Sequence, residues 1–168
     1  MDGRPISDGM KRTIPVCGLV LASLLLRPAP ASADITAFLG FSPTPDTRSV
    51  RGFAVAVNIL VVGFEFEYAR TVEEELKGAP GLTTGMFNVL VSTPTSGVQL
   101  YATAGAGLFR ERLLDESETA FGTNVGGGAK ITVAGPLRLR VDYRIFSLRG
   151  SPFFRNPQRF YAGISLSF

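Results

Sequence analysis

The chain has 168 residues, 45% hydrophobic and 18% charged, with 19 Gly and a formal net charge of +3. This mixture excludes a disordered tail, and the length suits one hydrophobic core rather than two domains. His and Trp are both absent. The missing His excludes His-based triads, His-ligated metal sites and most general acid–base schemes, because His is the side chain that titrates near neutrality unaided. No metal and no cofactor are expected.

Lys11 and Arg12 precede an apolar run from Ile14 to Leu26, and Ala31-Ser32-Ala33 follows as a small-residue cleavage site. This is the three-part layout of a secretory signal peptide, here spanning residues 1–33 with the cut after Ala33. The run is too short for a spanning helix, which needs about 20 residues. Met10 is an alternative start, since the residues before it add Asp2, Asp8 and Pro5 to no purpose in a signal. Cys17 lies inside the apolar run, not after it as a lipid-bearing cysteine would, and would leave with the leader. The leader carries Arg4, Lys11, Arg12 and Arg27 against Asp2 and Asp8. Its removal takes most of the positive excess with it, and no basic stripe for a nucleic-acid partner survives.

The remaining segment, 34–168, alternates. The pattern predicts eight strands at about 35–42, 50–58, 61–70, 82–92, 98–110, 119–133, 137–148 and 158–168. On the third, Phe64, Phe66 and Tyr68 stand against Glu65 and Glu67. On the sixth, Phe121, Val125, Gly127, Ala129, Ile131 and Val133 oppose Asn124, Gly126, Gly128, Lys130 and Thr132. The seventh sets Leu137, Leu139, Val141, Tyr143 and Ile145 against Arg138, Arg140, Asp142 and Arg144. The eighth sets Phe160, Ala162, Ile164, Leu166 and Phe168 against Arg159, Tyr161, Gly163, Ser165 and Ser167.

The connections alternate too. Asn58 to Leu60, Thr93 to Gly97 and Ala134 to Pro136 are tight; Pro43 to Ser49, Thr71 to Gly81, Glu111 to Glu118 and Arg149 to Pro157 read as longer loops. Short turns at one end, longer loops at the other and an even strand count predict an all-β, eight-stranded antiparallel up-and-down transmembrane β-barrel over 34–168. A soluble sandwich would bury the apolar faces instead. The 13 Phe and 4 Tyr, all after Ala33, favour the membrane reading because such barrels carry interfacial aromatic girdles.

The final run, Phe160-Tyr161-Ala162-Gly163-Ile164-Ser165-Leu166-Ser167-Phe168, together with the whole alternating segment, resembles the small eight-stranded bacterial outer-membrane barrels, the OmpA/OmpX-type β-barrel domain family. The resemblance implies residence in the bacterial outer membrane, in contact with its lipid. It also implies a strand read by the barrel-assembly machinery, with Phe168 as the terminal aromatic and Phe160, Ile164 and Leu166 at the alternate hydrophobic positions. The large periplasmic peptidoglycan-binding domain of some relatives is missing from this sequence. The enzymatic barrels of such membranes rely on His, so no enzyme is expected.

Within the barrel, Glu65 and Glu67 would lie across the lumen from Arg138, Arg140 and Arg144, with Lys130, Asp142 and Arg159 extending the network. Gln99, Thr103, Asn124 and Thr132 would fill the remaining hydrogen bonds. A buried charge without a partner costs several kcal/mol, and an eight-stranded barrel is just filled by side chains. The first expectation is a structural plug with a structural or interaction role in the envelope; the alternative is a narrow gated channel or a binder of small solutes or lipid-like ligands. Gly105, Gly107, Gly126 and Gly128 all face inward, either as the wall of a small pocket or as room for Tyr101, Phe109 or an Arg. Phe153 and Phe154 in one outer loop and Glu73-Glu74-Glu75 in another are candidate contact residues, more simply read as girdle Phe and solvated charge.

Overall fold

The computed structural model describes residues 31–168 apart from Glu75, Lys77, Thr95, Ser96 and Asp115. The eight strands are β1 (Ala31–Ser42), β2 (Arg48–Ile59), β3 (Val62–Thr71), β4 (Gly81–Ser92), β5 (Val98–Leu113), β6 (Glu116–Ala134), β7 (Leu137–Leu148) and β8 (Gln158–Ser167). Each pairs antiparallel with its sequence neighbour, and β1 pairs with β8 from Asp34↔Ser167 to Phe41↔Phe160, closing the barrel. Closure leaves no sheet edge unpaired, the condition for β-structure in hydrocarbon.

Period-2 alternation decides which face each side chain meets, and the faces are inverted relative to a water-soluble protein. Glu65, Glu67, Asp142, Arg140, Arg144 and Arg159 are buried, while Ile35, Phe64, Phe87, Val89, Val125 and Ile164 are exposed. Only a bilayer makes that inversion favourable, since it accepts the apolar belt and leaves the ions to one another inside.

The tight turns stand where the sequence places them. The β2–β3 turn holds Leu60 at φ 57°, and the β6–β7 turn holds Gly135 at φ 52°, the left-handed conformation that a two-residue hairpin demands and glycine adopts freely. At the other end one expectation fails. Glu111 to Glu118 is not a loop: β5 runs on to Leu113 and β6 starts at Glu116, with pairs from Arg110↔Thr119 to Leu113↔Glu116. The hairpin rises above the apolar belt, so both of its faces are polar and its charges imitate a loop.

The loop after β7 folds against this hairpin. Ser151 N–H donates to Glu118 Oε1 at 2.8 Å and Phe153 N–H to Glu111 Oε2 at 2.8 Å. Burial, reinforced by the neighbouring Glu118 carboxylate, pushes the Glu111 carboxyl up from its ordinary range against the pull of the Phe153 N–H and of Arg48. Of the acidic run read as solvated charge or a contact surface, Glu73 accepts the Leu114 N–H at 2.7 Å, and Glu75 lies outside the described residues.

The first strand begins earlier than the pattern indicates. Ala31–Ala33 pair with Val57–Ile59, and Ala33 exchanges backbone hydrogen bonds with Phe168 at 2.8 and 3.0 Å. The rest of the expected leader, including Cys17 and the Met10 start, lies outside the described residues. A second difference concerns the aromatics: Phe38 and Phe146 are buried inside the barrel rather than in the outer girdle, alongside Tyr101, Phe109 and Tyr161, whose inward placement the alternation allowed. Small inward residues make their room, as where Gly122 lies beside the Phe109 ring.

Candidate functional site: a bridged charge cluster in the lumen

In a ring of eight strands, β3 and β7 are four positions apart and face each other across the bore. Residues 65 and 67 of β3 and 140, 142 and 144 of β7 all fall on inward positions, so the two acidic and two basic side chains of opposite walls meet at the axis. Arg140 Nη1 reaches Glu65 Oε2 at 2.5 Å and its Nη2 reaches Asp142 Oδ2 at 2.7 Å. Arg144 reaches Glu65 Oε1 at 2.7 Å, Glu67 Oε2 at 3.1 Å and Asp142 Oδ1 at 3.1 Å. Guanidinium is suited to this because its planar fork serves several carboxylate oxygens at once.

Two phenols complete the cluster. The Tyr101 hydroxyl donates to Asp142 and accepts from Arg140 Nε at 2.8 Å, and Arg140 also lies over the Tyr101 ring. The Tyr161 hydroxyl donates to Glu67 Oε2 at 2.7 Å. Toward the loops, Arg159 donates to Glu67 at 3.3 Å and Thr84 at 3.2 Å and packs on the Phe146 ring. Asn88 donates to Glu65 at 3.2 Å and accepts from Asn124 at 2.8 Å.

Toward the turns, Lys130 pairs with Asp34 at 2.5 Å, and Asn58 donates to the same carboxylate at 3.1 Å. Asp34, Tyr101 and Tyr161 are members that the sequence reading did not place in the network. With Asp34 included, four carboxylates (Asp34, Glu65, Glu67, Asp142) face four cations (Lys130, Arg140, Arg144, Arg159). Neutrality matters because the desolvation of each ion costs several kcal/mol unless its charge is matched.

Three expected members stand elsewhere. Arg138 does not reach the carboxylates; it is half-buried at the turn end, where its Nη1 approaches Gln99 Oε1 at 3.4 Å. A rim position lets it keep water, so nothing draws it inward. Thr132 is exposed, beside the register shift between Thr132 and Ala134. Thr103 is buried, but its hydroxyl finds no partner among the described residues.

Three of the four glycines read as a possible pocket wall lie under side chains. A Cβ built on Gly128 would come within 2.5 Å of the Tyr101 hydroxyl, and one on Gly126 within 2.9 Å of the Arg144 Cγ. Gly105 lies under the Asn88 amide, and Gly107 against the backbone of Gly85 and Met86. The room beside Gly105, Gly126 and Gly128 is therefore taken up by Asn88, Arg144 and Tyr101 rather than standing open as a pocket wall. On β8, Phe160, Ile164 and Leu166 face outward and are exposed, as is Phe168 just beyond it.

No protein-family model matches the chain, and no match emerges among curated protein sequences. Its likeness is to solved structures of small outer-membrane barrels. Neisserial surface protein A aligns with 19% identity and a TM-score of 0.62, over 82% of this chain and 96% of that one. The N-terminal β-barrel domain of Pseudomonas aeruginosa OprF aligns with 16% identity and a TM-score of 0.59, over 82% and 97%. The outer-membrane enzyme PagL aligns with 13% identity and a TM-score of 0.52, over 79% and 98%. By fold the chain is a closed eight-stranded antiparallel barrel similar to these outer-membrane barrels, an architecture that houses an enzyme as well as other proteins.

Proposed function

We propose that the protein is a non-enzymatic barrel of the bacterial outer membrane, with a structural or interaction role and a lumen closed by its own charged side chains. One observation carries this reading. Arg140 and Arg144 of β7 bind Glu65 of the opposite wall at 2.5 and 2.7 Å, so guanidinium groups occupy the axis where a conduction path would have to run. The same contacts argue against catalysis: Glu65, Glu67 and Asp142 are each buried and held by at least one Arg, so their oxygens are engaged within the protein rather than presented to a substrate. The chain's lack of His removes the usual alternative base.

Planar-bilayer recording of the refolded protein tests the closure. The expected record is flat. Discrete openings in the unmodified protein would overturn the plug and favour the gated channel, in which the Arg and Glu partners exchange.

The outward, alternate hydrophobic positions Phe160, Ile164 and Leu166 and the terminal Phe168 support recognition of β8 by the barrel-assembly machinery. Deleting Phe168 is expected to lower the amount of heat-modifiable barrel recovered from outer membranes. Undiminished recovery would remove that role.

A further inference from the structure

The outward face of the strands carries very little charge, and the charge it does carry is of one kind. Among the described strand residues on outward positions, the ionisable acids are absent and the bases are Arg51 on β2, Arg70 on β3, and Arg110 and Arg112 on β5. All four are exposed and all lie toward the loop end of their strands.

Pairing register makes them neighbours. Arg51 stands directly opposite Arg70, Arg70 opposite Thr83 and Thr83 opposite Arg110, with Arg112 beside Gly81 in the next row. Like charges facing each other on adjacent strands, with Cβ atoms about 4.5–5.5 Å apart, repel and destabilise the sheet. None of the four forms an ion pair among the described residues. The one carboxylate sharing their shallow depression, Glu73, also accepts the Leu114 N–H at 2.7 Å, and it offsets one of the three arginines there.

Arg51 and Arg70 also line one end of an apolar groove of about 770 Å³, together with Ala37, Leu39, Phe53, Tyr68 and Ile164. The rim of β7, β8 and β1 ends differently: its loop-side outward residues include the aromatics Phe41, Phe160 and Tyr143, Phe41 stacked on Phe160 with ring centroids 5.4 Å apart and Tyr143 tilted against Phe160 at 4.4 Å. The arginine row is therefore not this barrel's general way of marking the membrane edge.

We propose that the loop-side rim of β2 to β5 binds an anionic, phosphate-bearing lipid headgroup of the surrounding leaflet, through Arg51, Arg70, Arg110 and Arg112, with acyl chains lying in the groove beneath. A phosphate group provides the charge that the row lacks, and its oxygens fit the guanidinium fork. The groove supplies the apolar contact that a free phosphate ion could not use. The site rests on the reading of the barrel as lipid-embedded, and the test separates the two.

Because the chain has no Trp, a single introduced one reports its own surroundings. Phe53→Trp places it in the groove and Val125→Trp places it on β6, the opposite wall. Each full-length variant is refolded into phosphatidylcholine vesicles containing an equal fraction of brominated-chain phosphatidic acid or brominated-chain phosphatidylcholine, and quenching is compared. At the groove reporter, phosphatidic acid should associate at least about fivefold more strongly than phosphatidylcholine, since each surface Arg near an anionic lipid contributes about a factor of five. The β6 reporter should show no preference. Arg51→Gln/Arg70→Gln/Arg110→Gln/Arg112→Gln should abolish the preference at the groove, and the double variant Arg51→Gln/Arg70→Gln, still folded, should reduce it. Equal quenching by both lipids at the groove, or the same preference at both reporters, or a preference that survives the Gln substitutions, overturns the site alone. Quenching by neither lipid at either reporter overturns the site and the lipid-embedded reading together.

Discussion

Inside the barrel, Arg140 and Arg144 are fully buried and share Glu65 and Asp142, with Glu67 on Arg144, all at 2.5–3.1 Å. On its rim, Arg51 and Arg70 are exposed, face one another on adjacent strands, and form no ion pair among the described residues. The same side chain is thus held in two ways, by protein acids where lipid and water are both excluded and by the membrane–water boundary where they meet. Between these regions lies the apolar belt, where neither form of compensation exists. The contrast teaches that position along and around a strand, not residue type, sets the cost of a guanidinium in this fold.

Removing the inner compensation should have the largest effect. Glu65→Ala leaves Arg140 and Arg144 short of a shared partner and is expected to cost about 3–5 kcal/mol, the usual penalty for breaking a buried pair. The urea midpoint of the folded barrel in phosphatidylcholine vesicles, followed by heat-modifiable mobility, reads this directly; an unchanged midpoint would mean that the cluster does not bind the walls together. Moving an arginine into the belt comes next. Val89→Arg is expected to cost about 2–4 kcal/mol, the value for Arg near the bilayer midplane, and a neutral result would show that this face does not meet hydrocarbon.

Tyr101→Phe is a smaller perturbation of the inner region. It deletes the donor to Asp142 and the acceptor of Arg140 Nε, and an orphaned buried partner costs about 1–3 kcal/mol. The smallest effect is expected outside the membrane, at Glu111. Its carboxyl is raised by burial and by Glu118, so its contribution to stability is fully present below the ordinary Glu value and is lost as pH rises through the raised one. Glu111→Gln should flatten that part of the midpoint-versus-pH curve; a variant with the parent's slope would assign the dependence elsewhere.

Much of the barrel was legible because alternation is a local property. Phe64 to Tyr68 and Leu137 to Ile145 show their two faces without any knowledge of their neighbours, and the tight turns at Leu60 and Gly135 punctuate them. Legibility failed where the alternation stops carrying polarity. The 111–118 hairpin stands clear of the belt, so its charges on both faces look like a loop. Asp34 precedes the first clear apolar alternate, Ile35, and its place in the network follows only from a longer β1. Arg138 shares a face with Arg140 and Arg144, yet it ends at the rim, because how far a residue stands along the axis depends on strand stagger. Phe38, Phe109 and Phe146 turn inward for a reason that no single strand shows: small residues on adjacent strands leave them space.

By itself the amino-acid order determined that each strand would have an oily and an ionic side, since side chains project alternately from an extended backbone whatever surrounds it. Closure of the ring decided the rest. Only when β1 meets β8 do β3 and β7 become opposite walls, so that Glu65 finds Arg140 and Arg144, and only the cross-strand register brings Arg51 beside Arg70. Such contacts join residues far apart along the chain, and their geometry is set by stagger and curvature, which are properties of the assembled sheet.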